Sequence, residues 1–523
     1  MLAAQPLYLP ADERDLEIFD ATVSSDHYLR QVKQAIDFER LRPILADAYS
    51  SDQGRPAIEP LLLLKLEFLQ YQYNLSDRQV VEQARSHMAY RYFLDLGLRS
   101  PLPHHTSFTY FRQRLGVERH QQVFDAMVAQ AREQGLVKDR LRLKDATHVV
   151  ANVAIPTTIG LLGQTRERLL QALEPWEAAE VARQRQRAEQ IRQSTADLSG
   201  EERLLQRVVH LRELVAWAQL VRDSSAFAAG PSVCQNELRQ ALVLACKVLE
   251  DRDDPEGKHH LRSVHDPDAR YGKHGSFYVG YLLDASMDAD SQIITALNVL
   301  PAGGREAEDT VTLLRQEEAA HGNDVQALSM DSAGYQGPVL RELTDPEGLK
   351  VEVFVPPTPS ACKSKLQPEQ FILSPDQQTL TCPGGQTATA RDRAWTKRAW
   401  RFRFARSHCA ACPLRALCVP KLPQKCGRTV LKNDYEAEYR AAQAKAQTPE
   451  YAQARREHPG IERKLAEIIR RHGGRRARYW GQARVLLQQL ITGFVVNIKR
   501  MVKLLNDPGG GGGPVRAAVL ATG

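Results

Sequence analysis

The spacing of apolar and polar positions changes along the chain, and each change predicts a different element. From residue 55 to about 135 the rhythm is helical. A dense apolar run, Leu61 to Leu69, follows Pro56 and Pro60, and the polar break Asn74-Leu-Ser-Asp77 offers a cap for a helix over Arg78–Tyr90. After a turn near Gly97–His105, Thr106 or Ser107 can cap a helix through Tyr110, Phe111 and Leu115. Short helices with polar turns fit a DNA-contacting module and equally a plain helical bundle. At Leu141-Arg-Leu-Lys-Asp-Ala-Thr-His-Val-Val150 the pattern alternates and then turns apolar, which predicts a strand. Between about 160 and 250, Gln, Arg, Glu, Ala and Leu dominate, with few turn formers before Leu198-Ser-Gly200, so a helical hairpin or small bundle is expected. β character returns over Ser276–Asp284 and Gln292–Leu300. These runs flank a polar turn containing Asp288, Ala289 and Asp290, which predicts a hairpin. A helix over Glu306–Ala320 and a strand over Val325–Met330 follow.

Strand, hairpin, helix and strand in that order predict a mixed α/β core. The expected organisation is a helical domain over 1–135 and an α/β core over 136–505. A helical insertion at 156–262 and a Cys-rich insertion at 340–432 interrupt the core, and a flexible tail over 506–523 carries the glycine run Gly509–Gly513.

Composition narrows the class. Of 523 residues, 43% are hydrophobic and 25% charged, which excludes global disorder. No apolar run approaches the roughly 20 residues that span a bilayer, so no membrane association is expected. Met1–Pro10 lacks a basic segment followed by an apolar one, so no signal peptide is expected and the chain reads as cytoplasmic. Eight cysteines, mostly crowded into one stretch, suit a metal site in a reducing compartment better than a disulfide framework. The net charge is +7, but residues 391–505 carry 27 Lys and Arg against 8 Asp and Glu, a surplus of 19 that leaves −12 for the rest. A basic C-terminal third on a slightly acidic body points to a polyanionic partner.

Three groups of residues carry candidate chemistry. Asp145 interrupts an apolar strand pattern, where a lone carboxylate is costly to bury. Asp331 ends another strand pattern, the place where functional groups collect in α/β sheets. Glu462 sits at the edge of a helical stripe made by Ile461, Leu465, Ile468 and Ile469. Carboxylates suit Mg²⁺, and two such ions about 4 Å apart serve phosphodiester chemistry. Cys409, Cys412 and Cys418 form a Cys-x2-Cys-x5-Cys run, with Cys382 upstream as a fourth thiolate. A closed structural Zn²⁺ site is the natural product, although Cys426 and His408 compete and an iron–sulfur centre has the same ligands. Arg401 and Arg403, in the aromatic-rich stretch Lys397–Arg406, and Arg455, Arg470, Arg475, Arg476 and Arg478, around the last acid, are candidates for DNA phosphates. Asp284 reads as a turn or supporting carboxylate, Asp266 and Asp268 as turn residues around Pro267.

These motifs resemble the DDE transposases of bacterial insertion sequences. Gly54-Arg-Pro56 with Leu61–Leu64, and Pro103–Phe108 with Phe111-Arg112, look like the N-terminal domain. Lys144-Asp-Ala-Thr147 looks like the first acidic motif, Asp266–Arg270 with Gly280-Tyr281 the lead into the hairpin, and Asp331-Ser-Ala-Gly-Tyr335 the second. Ile461-Glu462, followed by Arg475–Gly481 and Asn497–Arg500, looks like the last. Tyr451, Arg455, Glu462 and Arg470 approximate a Tyr-Arg-Glu-Lys signature. The resemblance implies an RNase H-like core and a triad of Asp145, Asp331 and Glu462 holding two Mg²⁺, with Mn²⁺ as a substitute. It also implies cleavage and transfer of strands at terminal inverted repeats, with target DNA as second substrate, and a homodimer. A nuclease that does not transfer strands, and a non-catalytic, zinc-stabilised DNA-binding derivative, are the alternatives.

Overall fold

The structure is a computed structural model and describes residues 8–50, 57–254, 257, 260–358, 364–421 and 423–507. Gly54-Arg-Pro56 and Gly509–Gly513 lie outside the described residues.

The N-terminal region forms α1 (Glu13–Thr22), α2 (Tyr28–Ala35), α3 (Arg42–Ala46), α4 (Pro60–Gln72), α5 (Asp77–Ser86), α6 (Met88–Phe93) and α7 (Ser107–Glu133). The polar break before α5 acts as expected. Ser76 Oγ accepts from the Gln79 amide at 3.3 Å, and Gln79 Oε1 accepts from the Ser76 amide at 2.9 Å, so both free donors of the helix start are satisfied. The predicted helix Arg78–Tyr90 is two helices, because His87 takes an extended conformation between them. Helix α4 is buried on all sides from Pro60 to Tyr71, its Lys65, Glu67 and Gln70 included and paired with Asp95 and Arg112. The N-terminal helices share one apolar cluster with the sheet and the last helix; Phe38, for example, meets Phe68 and Phe93 on one side and Phe494 on the other. The helical region therefore buries its apolar faces against the α/β part instead of closing a core of its own.

Strand β1 (Arg142–Val150) leads into the helical insertion: α8 (Thr158–Ser194), α9 (Gly200–Arg222), α10 (Ser225–Ala229) and α11 (Ser232–Asp253). The Leu198-Ser-Gly200 break starts α9, where Ser199 and Glu202 form a capping box. Leu169, Leu173, Leu211, Leu214 and Leu238 belong to a core private to these helices.

The main sheet follows with β2 (Arg270–His274), β3 (Ser276–Asp288), β4 (Ile294–Pro301), α12 (Glu306–His321), β5 (Ala327–Ser329), α13 (Gly337–Thr344) and β6 (Glu352–Phe354). One edge of β3 pairs antiparallel with β1; the other pairs with β2 and then β4. Beyond β1, β5 and β6 are parallel to it, giving the order β2-β3-β1-β5-β6 with β4 beside β3. The expected hairpin is present, but β3 runs on to Asp288, since its second half is buried on both faces and shows no alternation. Gly280 fixes the β1–β3 register: its φ is +159°, and a Cβ there would lie 2.0 Å from the Val149 carbonyl oxygen. Gly280→Ala is expected to be destabilised by well over the ~1 kcal/mol of an average substitution, read as a lower urea midpoint.

The Cys-rich region contains two small three-stranded sheets. Its elements are β7 (Ile372–Leu373), β8 (Leu380–Thr381), β9 (Thr387–Ala388), β10 (Arg391–Ala394), β11 (Ala399–Arg403), α14 (Arg406–Ala410), α15 (Arg415–Cys418) and β12 (Thr429–Asn433). The expected start of this insertion at 340 needs correction, because α13 and β6 belong to the main fold. Helices α16 (Glu436–Lys445), α17 (Pro449–Glu457), α18 (Pro459–Arg471) and α19 (Gln482–Asn506) complete the chain. Helix α19 corrects the expectation about apolar runs: by length and composition it could cross a membrane. It lies instead inside the fold, 83% of its apolar window buried. Asp268 and Asp266 accept from the amides of Gln482 and Gly481 at 3.0 Å each, so the Asp-Pro-Asp turn caps α19.

Candidate active site

Leu143 and Asp145 share one face of β1, and Lys144 takes the other. Leu143 packs into the main core, and Lys144 reaches back to the Glu306 carbonyl (2.9 Å) and to Asp284 (3.1 Å). The parallel pairing of β1 with β5 sets Leu143 opposite Ser329. Two residues further along each strand direction come Asp145 and Asp331, side by side at the carboxyl end of β5. Asp331 is held by its own turn, its Oδ1 accepting from the Ala333 amide at 3.0 Å.

Glu462 arrives from the other end of the chain. Helix α18 begins at Pro459 and buries Ile461, Leu465 and Ile468; Ile469 is half-buried. A Cβ on Gly460 would come within 3.3 Å of Leu143 and 3.5 Å of Met287, so the first turn of α18 rests on β1 and β3. Glu462 stands in that first turn, where the helix dipole favours a carboxylate, and is exposed to solvent. The corner before α18 is tied to β5: His458 Nδ1 lies 3.2 Å from Ser329 Oγ, and Arg455 donates to the Met330 carbonyl at 2.9 Å. Burial, aided by Arg455, lowers His458 to about 4, so the ring is neutral. His458 and Ser329 were not singled out from the sequence; the signal was a histidine directly before a helix-starting Pro-Gly.

Asp145 senses the other two acids. Burial pushes the Asp145 carboxyl up to about 6, and the charges of Asp331 and Glu462 push the same way against the Ala146 amide and Lys144. Among the described residues, no group of three or more His, Cys, Asp or Glu side chains is drawn together as a metal-ligand set. Asp284 is fully buried on the Lys144 side, away from Asp145.

The predicted cations divide into two kinds. Arg470 and Arg476 are exposed. Arg455 is bound as above, Arg475 donates to the His148 carbonyl, and Arg478 donates to Leu75 (3.1 Å) and Asn74 (2.7 Å). Arg401 and Arg403 both pair with Asp392 across β10 and β11. Five of the seven are thus already engaged within the chain.

Cys382, Cys409, Cys412 and Cys418 line one cavity of about 30 Å³, together with His408, Phe371 and Phe404. Burial and the other three sulfurs raise the Cys418 thiol. Cys426 points elsewhere, to Thr429. The fold thus gathers the four predicted thiols without drawing them into a ligand set.

Residues 17–114 match the family described as Transposase domain (DUF772), and residues 381–502 match Transposase DDE domain. The second match contains Glu462 and all four pocket cysteines; Asp145 and Asp331 fall between the two. No curated protein and no solved structure matches the chain. Two transposase matches, in the order of the sequence motifs, flank the sheet that carries Asp145 and precedes Asp331, so the chain is similar to transposases in both its N-terminal and its C-terminal part.

Proposed function

We propose that Asp145, Asp331 and Glu462 are the catalytic triad of an RNase H-like core that cleaves the ends of an insertion sequence and joins them to target DNA. The observation that carries this reading is the coupling of three acids separated by two insertions: Asp331 and Glu462 both raise the Asp145 carboxyl. The strand order around β1 supports the RNase H-like assignment. An all-carboxylate donor set suits Mg²⁺ or Mn²⁺ over softer ions, and two such cations would supply charge stabilisation to the attacking and leaving oxygens. The chain itself holds the acids: Arg455 and His458 fix the end of β5 against α18, and Arg475 ties the basic run to β1. Water attacks a phosphodiester at the element end and releases a 3′-hydroxyl, which then attacks a target phosphodiester.

The test is cleavage and joining of labelled element-end DNA with Mg²⁺. Asp331→Ala and Glu462→Ala are each expected to lose both steps by about a hundredfold or more, the scale set by losing a group that stabilises transition-state charge. Undiminished activity in either variant removes that residue from the triad. Cleavage without joining in the parent protein favours a nuclease, and binding without cleavage a non-catalytic derivative.

In the same reading α1–α7 recognise the terminal inverted repeats and the protein works as a homodimer in the bacterial cytoplasm. Pairing through the helical insertion is supported by its exposed Leu205, Leu220, Val233 and Val243. For the cysteine pocket we propose a structural Zn²⁺ on Cys382, Cys409, Cys412 and Cys418, supported by their shared cavity. Metal analysis is expected to find about one Zn²⁺ per chain in the parent and less in Cys412→Ser; a parent without stoichiometric metal sinks the assignment.

A further inference from the structure

The helix that carries Glu462 has a second flank. There α18 and α19 border a cleft of about 510 Å³, closed at one side by Gln292. Seven cationic side chains line it and a single carboxylate, Glu467. At the floor Lys464 is only 6% exposed, a rare position for a lysine. It and Lys499 share Glu467, at 3.2 and 2.6 Å. Burial opposes the charge on Glu467, but the two ammonium groups outweigh it and hold the carboxyl down to about 2. Arg500 beside them donates to the Ser291 carbonyl at 2.5 Å. At the rim Arg463, Arg470, Arg471 and Lys503 have no carboxylate partner among the described residues. A charge surplus of six in one concave site repels itself and concentrates anions.

The lining also says which anion. No aromatic side chain is present on which a base could stack, and Gln292 alone offers an amide. Such a surface holds phosphates and reads no sequence. The volume exceeds what one phosphate needs, so a chain of them fits. Arg463 follows Glu462 directly, so the rim begins next to the proposed scissile bond.

We infer that the α18–α19 cleft binds the phosphodiester backbone of a DNA strand running on from the bond held at Asp145, Asp331 and Glu462. The site overlaps the arginines expected from the sequence only at Arg470, and the inference rests on the proposed triad solely for the direction of the strand.

The test measures binding of a duplex carrying the element end, and of a scrambled duplex of equal length, in EDTA over a range of salt. Arg471→Gln with Lys503→Gln changes two exposed side chains that make no described hydrogen bond. Affinity is expected to fall at least tenfold on both duplexes, and the slope of log K against log salt to shrink by about 2, since each phosphate contact contributes about 0.9. Unchanged affinity and slope, in a variant that unfolds at the parent temperature, overturn the inference. A loss confined to the element-end duplex overturns its sequence-independent character. Asp145→Asn in the same assay keeps the parent slope. If Asp145→Asn still cleaves element-end DNA with Mg²⁺ while the double variant loses slope in EDTA, the triad fails and the cleft stands.

Discussion

Asp145→Asn is expected to abolish DNA cleavage and, in EDTA at pH 7.5, to make the protein more stable than its parent. Burial, with the charges of Asp331 and Glu462, lifts the Asp145 carboxyl from 3.8 to about 6. Between these values the folded chain holds a proton that the unfolded chain has released. The stabilisation from that proton is complete below about pH 3.8 and is lost as the pH rises through about 6. At neutral pH the ionised carboxylate therefore costs the folded state up to about 3 kcal/mol. Asparagine carries no charge at any pH, so the variant avoids that cost while losing the carboxylate proposed for the chemistry. Thermal unfolding in EDTA should show the two proteins converging toward pH 4 and separating above pH 6. Mg²⁺ should raise the melting temperature of the parent and leave the variant unmoved. An Asparagine variant less stable than its parent at pH 7.5 would mean that its neighbours do not strain the carboxylate. A more stable variant would make the site an instance of activity maintained at the expense of stability.

The second large effect lies three residues back along β1. Arg142 is fully buried, and its guanidinium donates to Glu317 at 2.6 Å, to Asp288 at 3.0 Å and to Asp139 at 2.9 Å. Glu317 and Asp288 are themselves fully buried, and Glu317 also accepts from Thr295 at 2.6 Å. This network fastens β1 to β3, β4 and α12, and so holds the strand that carries Asp145. Removing one partner of a buried ion network leaves its carboxylates desolvated and uncompensated, at a cost of about 3–5 kcal/mol. Arg142→Met is expected to lose that much in urea unfolding, and cleavage with it. Arg142→Met combined with Glu317→Met should recover part of the loss, because the second change removes the stranded charge. A loss below about 1 kcal/mol in the single variant would show that the remaining acids find water or protons.

Several elements were legible in the sequence for local reasons. The polar break at Asn74–Asp77 caps α5, Leu198-Ser-Gly200 starts α9, and the Asp288–Asp290 turn joins β3 to β4, because caps and turns are decided by a few neighbouring residues. Short β2 and β6 were missed, since neither alternates and each is a strand only through its partner, β3 or β5. The arginines show the same division. Their number was plain, but whether Arg403 meets a phosphate or Asp392 depends on which strand lies beside it.

By itself the sequence determined the acids, the thiols, the basic third and most of the regular elements, since residue type and periodicity are local properties. It also carried the resemblance to transposases through the order of its motifs. Only the tertiary structure decided that Asp331 and Glu462 act on Asp145 and that four cysteines line one cavity. It also decided that the N-terminal helices lack a private core and that the uncompensated charge gathers beside Glu462 between α18 and α19. The acids and the shared core depend on contacts across more than a hundred residues, the thiol cavity and the cleft on how nearer segments pack, and such contacts follow from packing apolar faces together, which no local pattern encodes.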